Sequence, residues 1–442
     1  MKLTFLKSST VIIESNDVRI LTDPWLVDGE YYGSWAHYPE PQADYDLSDI
    51  DFIYVSHIHP DHLSHRTMAK LPKHIPVLIH RYEAPFLQRN IEAMGFEVTP
   101  LPHNVRHHLK NGVYINILAA DDCNPELCAK FLGCASFQAK VGSTQIDSLC
   151  VVDDGKAVLV NTNDCPPALA LEVIPKIKQD YKNIDLLLVG YSGAGPFPQC
   201  FANLTLDQKE KAAAQKKQSF LTQNLQYVQH LKPRYVFPFA GQYVLAGRLW
   251  QLNKYRGVAD VEEAAEFFQR ECPQSQAVLL NAGESFDVES GTSSADYVPT
   301  DCAKRDRYIS EILSRRSYLF DNDEQPSDER LFELVQAAAA RLERKRQDMG
   351  FQSETVVFVD LGNDHVSRIS MKDGSIQVGR RTGFTDDRFV EFRTDRKLLN
   401  RILSGPKYAH WNNAEIGSHI EFYRSPETFE RGLYSLMNFF HA

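Results

Sequence analysis

Four residues able to ligate a metal fall within six positions of this chain: His57, His59, Asp61 and His62, in the run Tyr54-Val-Ser-His-Ile-His-Pro-Asp-His. They follow an apolar segment, Asp51-Phe-Ile-Tyr-Val, that stops abruptly. A strand that delivers imidazoles and a carboxylate to the loop at its end makes a compact divalent-metal site. Side chains two apart along an extended segment share a face, so His57 and His59 point the same way. The turn at Pro60 then brings Asp61 and His62 round to a second metal position. A surface loop that happens to be rich in His is the plain alternative, and the clustering of His with Asp argues against it.

Other strand ends carry acids. Tyr114-Ile-Asn-Ile-Leu-Ala-Ala leads into Asp121 and Asp122, and Ala157-Val-Leu-Val-Asn leads into Asp164. Three strand ends offering imidazoles or carboxylates predict one convergent site, with Asp164 as the carboxylate between two cations. Asp61 is the candidate general base. Asp23, closing Val18-Arg-Ile-Leu-Thr, either orients a metal ligand from behind it or simply makes an Asp-Pro turn. His103, His107 and His108 read as a solvated loop before a hairpin turn at Lys110-Asn-Gly. The aromatic stretch Glu30–Tyr38 reads as a loop forming a pocket wall or packing on a sheet edge.

These residues need a scaffold. Thr10–Glu14 and Val18–Thr22 read as strands about a Ser-Asn-Asp turn. A short helix over 64–71, a strand over 76–80, a helix over 83–94 and a strand over 96–101 follow. Such alternation predicts α/β layers. Strands are expected over 148–152 and 157–161 about Asp153-Asp-Gly, then over 184–190 and 235–239, with a long polar helix from Asp207 to about His230 between them. Tyr191-Ser-Gly-Ala-Gly has the glycines of an anion cradle but no Gly-Lys-Ser/Thr, so a nucleotide P-loop is not supported. The composition changes near 290, where Ser290-Gly-Thr-Ser-Ser-Ala-Asp resembles a linker. The expected division is therefore 1–290, an α/β catalytic domain, and 291–442, a small C-terminal helical/α+β module. In the module, charged helices are expected over 309–319 and 331–349, with strands over 355–359, 366–371 and 376–378.

The chain has 442 residues, 43% apolar and 24% charged, with a formal net charge of −10. That size calls for two or three domains, and the acidic balance argues against nucleic acid as a partner. No apolar run has membrane-spanning length, and the first residues lack a signal peptide's apolar core, so the expectation is a cytoplasmic protein. Eight cysteines include no Cys-x-x-Cys, Cys-x-His or Cys-x-x-His pair. Zinc-ribbon, thioredoxin-type and Rieske sites are thus not indicated. Cys123, Cys128 and Cys134 read as reduced thiols.

With those residues in view, the chain resembles the metallo-β-lactamase superfamily, marked by His57-x-His59-x-Asp61-His62. Within it, the chain is similar to the non-Rieske part of CMP-N-acetylneuraminic acid hydroxylases. Similar patches are Thr22-Asp-Pro-Trp-Leu26, Asn161-Thr-x-Asp-Cys165, Gly193-Ala194, Phe197-Pro198, Pro238-Phe-Ala-Gly241 and, more loosely, Trp411-Asn-Asn-Ala-Glu-Ile-Gly417. The resemblance implies an αββα sandwich. It also implies that His57, His59 and Asp121 hold one metal and Asp61 and His62 the other, with Asp164 between. The superfamily's usual later His ligands have no evident counterparts: Asp121 stands at one position and Pro238-Phe-Ala-Gly at the other, and 128–146 reads as an insertion. A carboxylate-rich set favours iron over zinc, with zinc or manganese the alternatives. The leading expectation is a non-haem iron or diiron oxygenase that hydroxylates a small polar metabolite, such as a sugar or sugar nucleotide. The resembling hydroxylases carry an N-terminal Rieske domain that this sequence does not show, so electrons are expected from a separate reductase or ferredoxin. The second expectation is a zinc or manganese hydrolase of an ester, amide or phosphodiester. A binding protein with a degenerate site is the third.

Overall fold

Alternation in the first strands decides the layers. Along Thr10–Ser15 and Val18–Thr22, Val11, Ile13 and Ile20 face one way while Ile12 and Leu21 face the other. Both faces are apolar, so the sheet must be covered on both sides. A computed structural model describes residues 1–41, 45–82, 84–119, 147–171 and 173–442. One sheet runs, in spatial order, Thr292–Ser293, Ser285–Asp287, Lys2–Lys7, Thr10–Ser15, Val18–Thr22, Phe52–Tyr54, Val77–His80 and Val98–Leu101. The other runs Gln276–Ala277, Tyr235–Phe239, Leu186–Gly190, Val158–Asn161, Ser148–Asp153, Val113–Ala119 and His107–Lys110.

Val11, Ile13 and Ile20 meet Ile115, Ile117, Val152 and Leu188 between the two sheets. Ile12 and Leu21 pack outward against Met68, Leu87 and Ile91. The outer face of the second sheet, at Leu118, Val151, Val160 and Val189, is covered by Ile174, Leu225, Val228 and Phe268. The result is the expected αββα sandwich. Its longest helix, Leu206–Leu231, starts at a capping box between Thr205 and Gln208 and ends at Lys232 in the left-handed region.

Strand direction brings the chemistry to one end. Thr22, Tyr54 and Leu78 are in parallel register, as are Asn161, Leu188 and Phe237. The loops after 54, 161 and 190 therefore leave the same edge, where ligands gather in layered α/β proteins. Ser148–Asp153 runs antiparallel, with Cys150 opposite Asn161, so this strand begins at the edge where the others finish.

The C-terminal module is a five-stranded sheet in the order Ile376–Arg380, His365–Ser370, Val356–Gly362, Phe389–Arg393 and Glu421–Ser425. Helices Asp328–Asp348, Arg396–Leu403 and Arg431–Met437 share its core through Val335, Leu399, Ile402 and Leu433. Cys200 and Phe201 of the sandwich enter the same core, and Phe201 stacks on Phe422 with ring centroids 4.9 Å apart.

Four sequence expectations need correction. Lys2–Lys7 is a strand: Leu3 and Phe5 point inward, and buried Lys7 extends its ammonium to the carbonyl of Pro39. The helix expected over 309–319 is Cys302–Glu311 followed by a short 3₁₀ turn, because Asp301 caps the earlier start and Ile312 and Leu319 are exposed rather than packed. The linker-like stretch begins as a hairpin turn between Ser285–Asp287 and Thr292–Ser293. The module has two further strands, Phe389–Arg393 and Glu421–Ser425, whose charged residues disguise the apolar alternation. Among the described residues no helix is long and apolar enough to cross a membrane.

Candidate metal centre

Tyr54 fixes the metal loop against the second sheet. Its hydroxyl donates to Ser148 Oγ at 2.8 Å, and Ser148 Oγ donates to the carbonyl of Ser56 at 2.9 Å. The Asn163 amide donates to the carbonyl of Ser148 at 3.1 Å. These bonds tie the strand before His57, the start of Ser148–Asp153 and the turn after Asn161 into one unit. Asp147 is carried to His57 and Asp164 to His62 as a consequence.

Asp23 organises the near side. It is fully buried, and its carboxylate accepts from the Ser56 amide, the Ser56 hydroxyl and His62 Nδ1, each at 2.8 Å. Burial alone pushes its carboxyl upward, against the opposing pull of His62 and Ser56. It orients His62 through the far nitrogen, one of the two roles the sequence suggested.

Proton bookkeeping leaves two imidazole lone pairs aimed at each other. The single proton of the Ser56 hydroxyl goes to Asp23, so Ser56 Oγ accepts from His57 Nδ1 at 2.9 Å. His59 Nε2 donates to Asn412 Oδ1 at 3.1 Å. The remaining nitrogens, His57 Nε2 and His59 Nδ1, face each other at 2.9 Å with no proton between them. His62 Nδ1 donates to Asp23, and its Nε2 faces Asp164 Oδ1, 3.4 Å away, and Asp61 Oδ2, 3.7 Å away. Facing lone pairs repel unless a cation lies among them, and the donor set fits a divalent ion.

Two ligand groups result. His57, His59 and Asp147 form one, and His57, His62 and Asp164 form the other; in each, the ligand atoms lie within 4.8 Å of one another. The electrostatics follow from burial and neighbours. His57, only 2% exposed, is held well below the usual imidazole range by burial and by His62 and His59. His62 is also buried, which lowers it, but Asp164, Asp23 and Asp61 outweigh that and raise it. Burial lifts the Asp147 carboxyl to about 6. Asp164 has a side chain 39% exposed, the open side of the centre; what burial it has opposes ionisation, and His62 holds its carboxyl down.

His57, His59, Asp61, His62 and Asp164 thus lie together. Asp61 is in neither ligand group; its Oδ1 accepts from the Tyr31 hydroxyl and its backbone carbonyl from Ser9 Oγ at 2.8 Å. Asp121 lies outside the described residues, as do Cys123, Cys128, Cys134 and the stretch 128–146. Asp147, Tyr31 and Asn412 were not singled out in the sequence. Asp147 starts a strand, and a search confined to strand ends passes over it. Tyr31 belongs to the aromatic loop, which supplies both a site residue and packing, for Trp25, Trp35 and Tyr243 cluster behind it. His107 and His108 are exposed but lie in the strand His107–Lys110 rather than a loop, and His103 is half-buried against His80.

Residues 2–124 match the beta-lactamase superfamily domain. A relative in Mycolicibacterium smegmatis, named as a candidate Rieske 2Fe-2S iron-sulfur protein, is 30% identical over 248 residues, 54% of this chain and 43% of its own length. The cytidine monophosphate-N-acetylneuraminic acid hydroxylase of Macaca mulatta is 26% identical over 255 residues, 55% of this chain and 38% of its own. The chain spans less than half the length of these curated relatives. Among solved structures, an isothiocyanate hydrolase from Delia radicum gut bacteria gives a TM-score of 0.44 at 16% identity, covering 65% of this chain and 99% of that one. CmlA, a diiron beta-hydroxylase from Streptomyces venezuelae, gives 0.41 at 14%, covering 64% and 53%. The resemblance drawn from the sequence, to the metallo-β-lactamase superfamily and to CMP-N-acetylneuraminic acid hydroxylases, holds.

Proposed function

We propose that this chain, with its beta-lactamase superfamily domain, is a non-haem iron oxygenase that hydroxylates a small polar metabolite of the sugar or sugar-nucleotide class. The observation that carries the reading is the pair of ligand groups sharing His57, each completed by a carboxylate, Asp147 or Asp164. Oxygen donors of this kind suit iron better than an all-imidazole set does. The likeness to CMP-N-acetylneuraminic acid hydroxylases supports the hydroxylation and the substrate class.

His57, with one free lone pair, would serve a single ion, completed either by His59 and Asp147 or by His62 and Asp164; the pair left over would hold a second ion. Bound iron would supply the redox chemistry with dioxygen. Hydroxylation puts one oxygen atom into the substrate and releases the other as water, so two electrons and two protons must enter. A separate reductase or ferredoxin is the proposed electron source, and relatives named as Rieske iron-sulfur proteins agree with such a need. Asp61, poised between the Tyr31 hydroxyl and His62, is placed to hold or pass a proton. Burial and the neighbouring Asp61 carboxylate raise the Tyr31 hydroxyl well above its usual range, so it stays a donor. The exposed side of Asp164 leaves the approach for substrate.

The test is oxygen uptake by anaerobically purified, ferrous-loaded protein with a chemical reductant and a panel of sugars and sugar nucleotides. Substrate-dependent uptake, with a product heavier by one oxygen atom, is expected. No uptake with any of them, together with ester, amide or phosphodiester cleavage by zinc- or manganese-loaded protein without oxygen, would replace the oxygenase by a hydrolase.

A further inference from the structure

The C-terminal module reaches the metal loop at one of the candidate ligands. Helix Trp411–Ile416 presents Asn412, whose Oδ1 accepts from His59 Nε2 at 3.1 Å, across 353 positions of sequence. The helix is anchored from both sides. Trp411 is buried in the module core, edge-on to Phe392. On the sandwich side, the Tyr32 hydroxyl accepts from the His410 amide at 2.6 Å. His419 Nε2 donates to the carbonyl of Tyr31 at 2.8 Å. Gly417 passes so close that a Cβ there would stand 2.9 Å from the Tyr31 Cβ.

The segment that receives these contacts is itself unusual. Tyr31 and Tyr32 both adopt positive φ, 50° and 61°. Bulky residues rarely do so unless their surroundings impose it. The outcome is a two-armed turn: the Tyr31 hydroxyl reaches Asp61, and the Tyr32 hydroxyl reaches the start of the C-terminal helix.

We propose that Asn412 is a positioning residue of the metal centre. By accepting from His59 Nε2 it fixes the tautomer in which Nδ1 is the bare nitrogen turned toward His57, so the module completes a centre whose ligands all lie in the sandwich. The inference rests on the reading that His57 and His59 hold a divalent cation. Metal-bound imidazoles owe their tautomer and ring angle to the group their other nitrogen meets, and loss of such a partner weakens binding about 10–100-fold. A side-chain amide suits the position because it accepts without adding charge, whereas a carboxylate also accepts.

The experiment uses the full chain, stripped of metal and titrated with Co²⁺, reading the dissociation constant, the visible absorption of the bound ion and the thermal midpoint of the metal-free protein. Wild type is expected to bind Co²⁺. Asn412→Leu is expected to bind about 10–100-fold more weakly with an altered spectrum, at an unchanged metal-free midpoint. Asn412→Asp is expected to restore binding to within about threefold, because the acceptor remains. If Asn412→Leu does not fold, Asn412→Ala, which retains a good helix former, answers the same question. Wild-type affinity and spectrum in the leucine or alanine variant would overturn the role of Asn412 while leaving the metal reading intact. Weak binding that the aspartate variant does not restore, with a fallen midpoint, would reduce Asn412 to a packing residue. Failure of wild type itself to bind Co²⁺ would remove the metal reading and this inference together.

Discussion

Two regions of this molecule bury polar groups in opposite ways. In the C-terminal module two buried charges meet their opposites. Glu391, mid-strand, receives Arg381 Nε at 2.9 Å and Arg393 Nε at 2.7 Å. Arg346 is held by both carboxylate oxygens of Glu343 and by the carbonyl of Phe351. Around the metal loop, like faces like where His57 Nε2 meets His59 Nδ1. Buried charges in native proteins are usually paired with opposite charges, and the facing imidazoles of the loop differ from the paired charges of the module. Departures of this kind mark function rather than stability.

The comparison breaks most decisively at His57, which both ligand groups share. His57→Ala is expected to weaken metal binding by more than about 100-fold, beyond the loss of an orienting partner; elemental analysis of the purified variant checks it. Metal retained at wild-type stoichiometry would mean that the facing imidazoles are not ligands. Asp23→Asn sharpens the contrast, since one amide oxygen cannot serve three donors. Its expected effect is about a 10–100-fold loss of affinity, measured by Co²⁺ titration. In the module, Glu391→Gln is expected to cost roughly 1–3 kcal/mol of stability, because Arg381 and Arg393 can rehydrate in part. Its metal content should be unchanged, and denaturant unfolding beside elemental analysis separates the two effects. The smallest effect belongs to Tyr31→Phe, which removes one hydrogen bond to Asp61 and is expected to cost about 1 kcal/mol, read as a severalfold change in turnover. A change in Glu391→Gln metal content as large as that of Asp23→Asn would erase the distinction between the regions.

Part of this was legible in the sequence and part was not. The metal loop was readable because a strand's period of two and a proline turn act over a few residues, so His57, His59, Asp61 and His62 announce their own geometry. Asp164 was readable as an acid closing an apolar run. Asp147 was hidden: its place depends on Ser148–Asp153 running antiparallel to Val158–Asn161, and strand direction is a property of pairing. Phe389–Arg393 was hidden because Glu391 interrupts an apolar run, and only its two arginine partners make a buried carboxylate tolerable there.

By itself the sequence determined the strand-then-ligand order, the layered α/β alternation and the chemistry of a divalent-metal site, because each arises from neighbours along the chain. Only the tertiary structure decided which carboxylate stands beside His57, which atom stands against His59 Nε2, and that the C-terminal module leans on the metal loop at all. Those depend on which distant segments hydrogen-bond across the two sheets, and pairing between segments far apart leaves no periodic trace in either one.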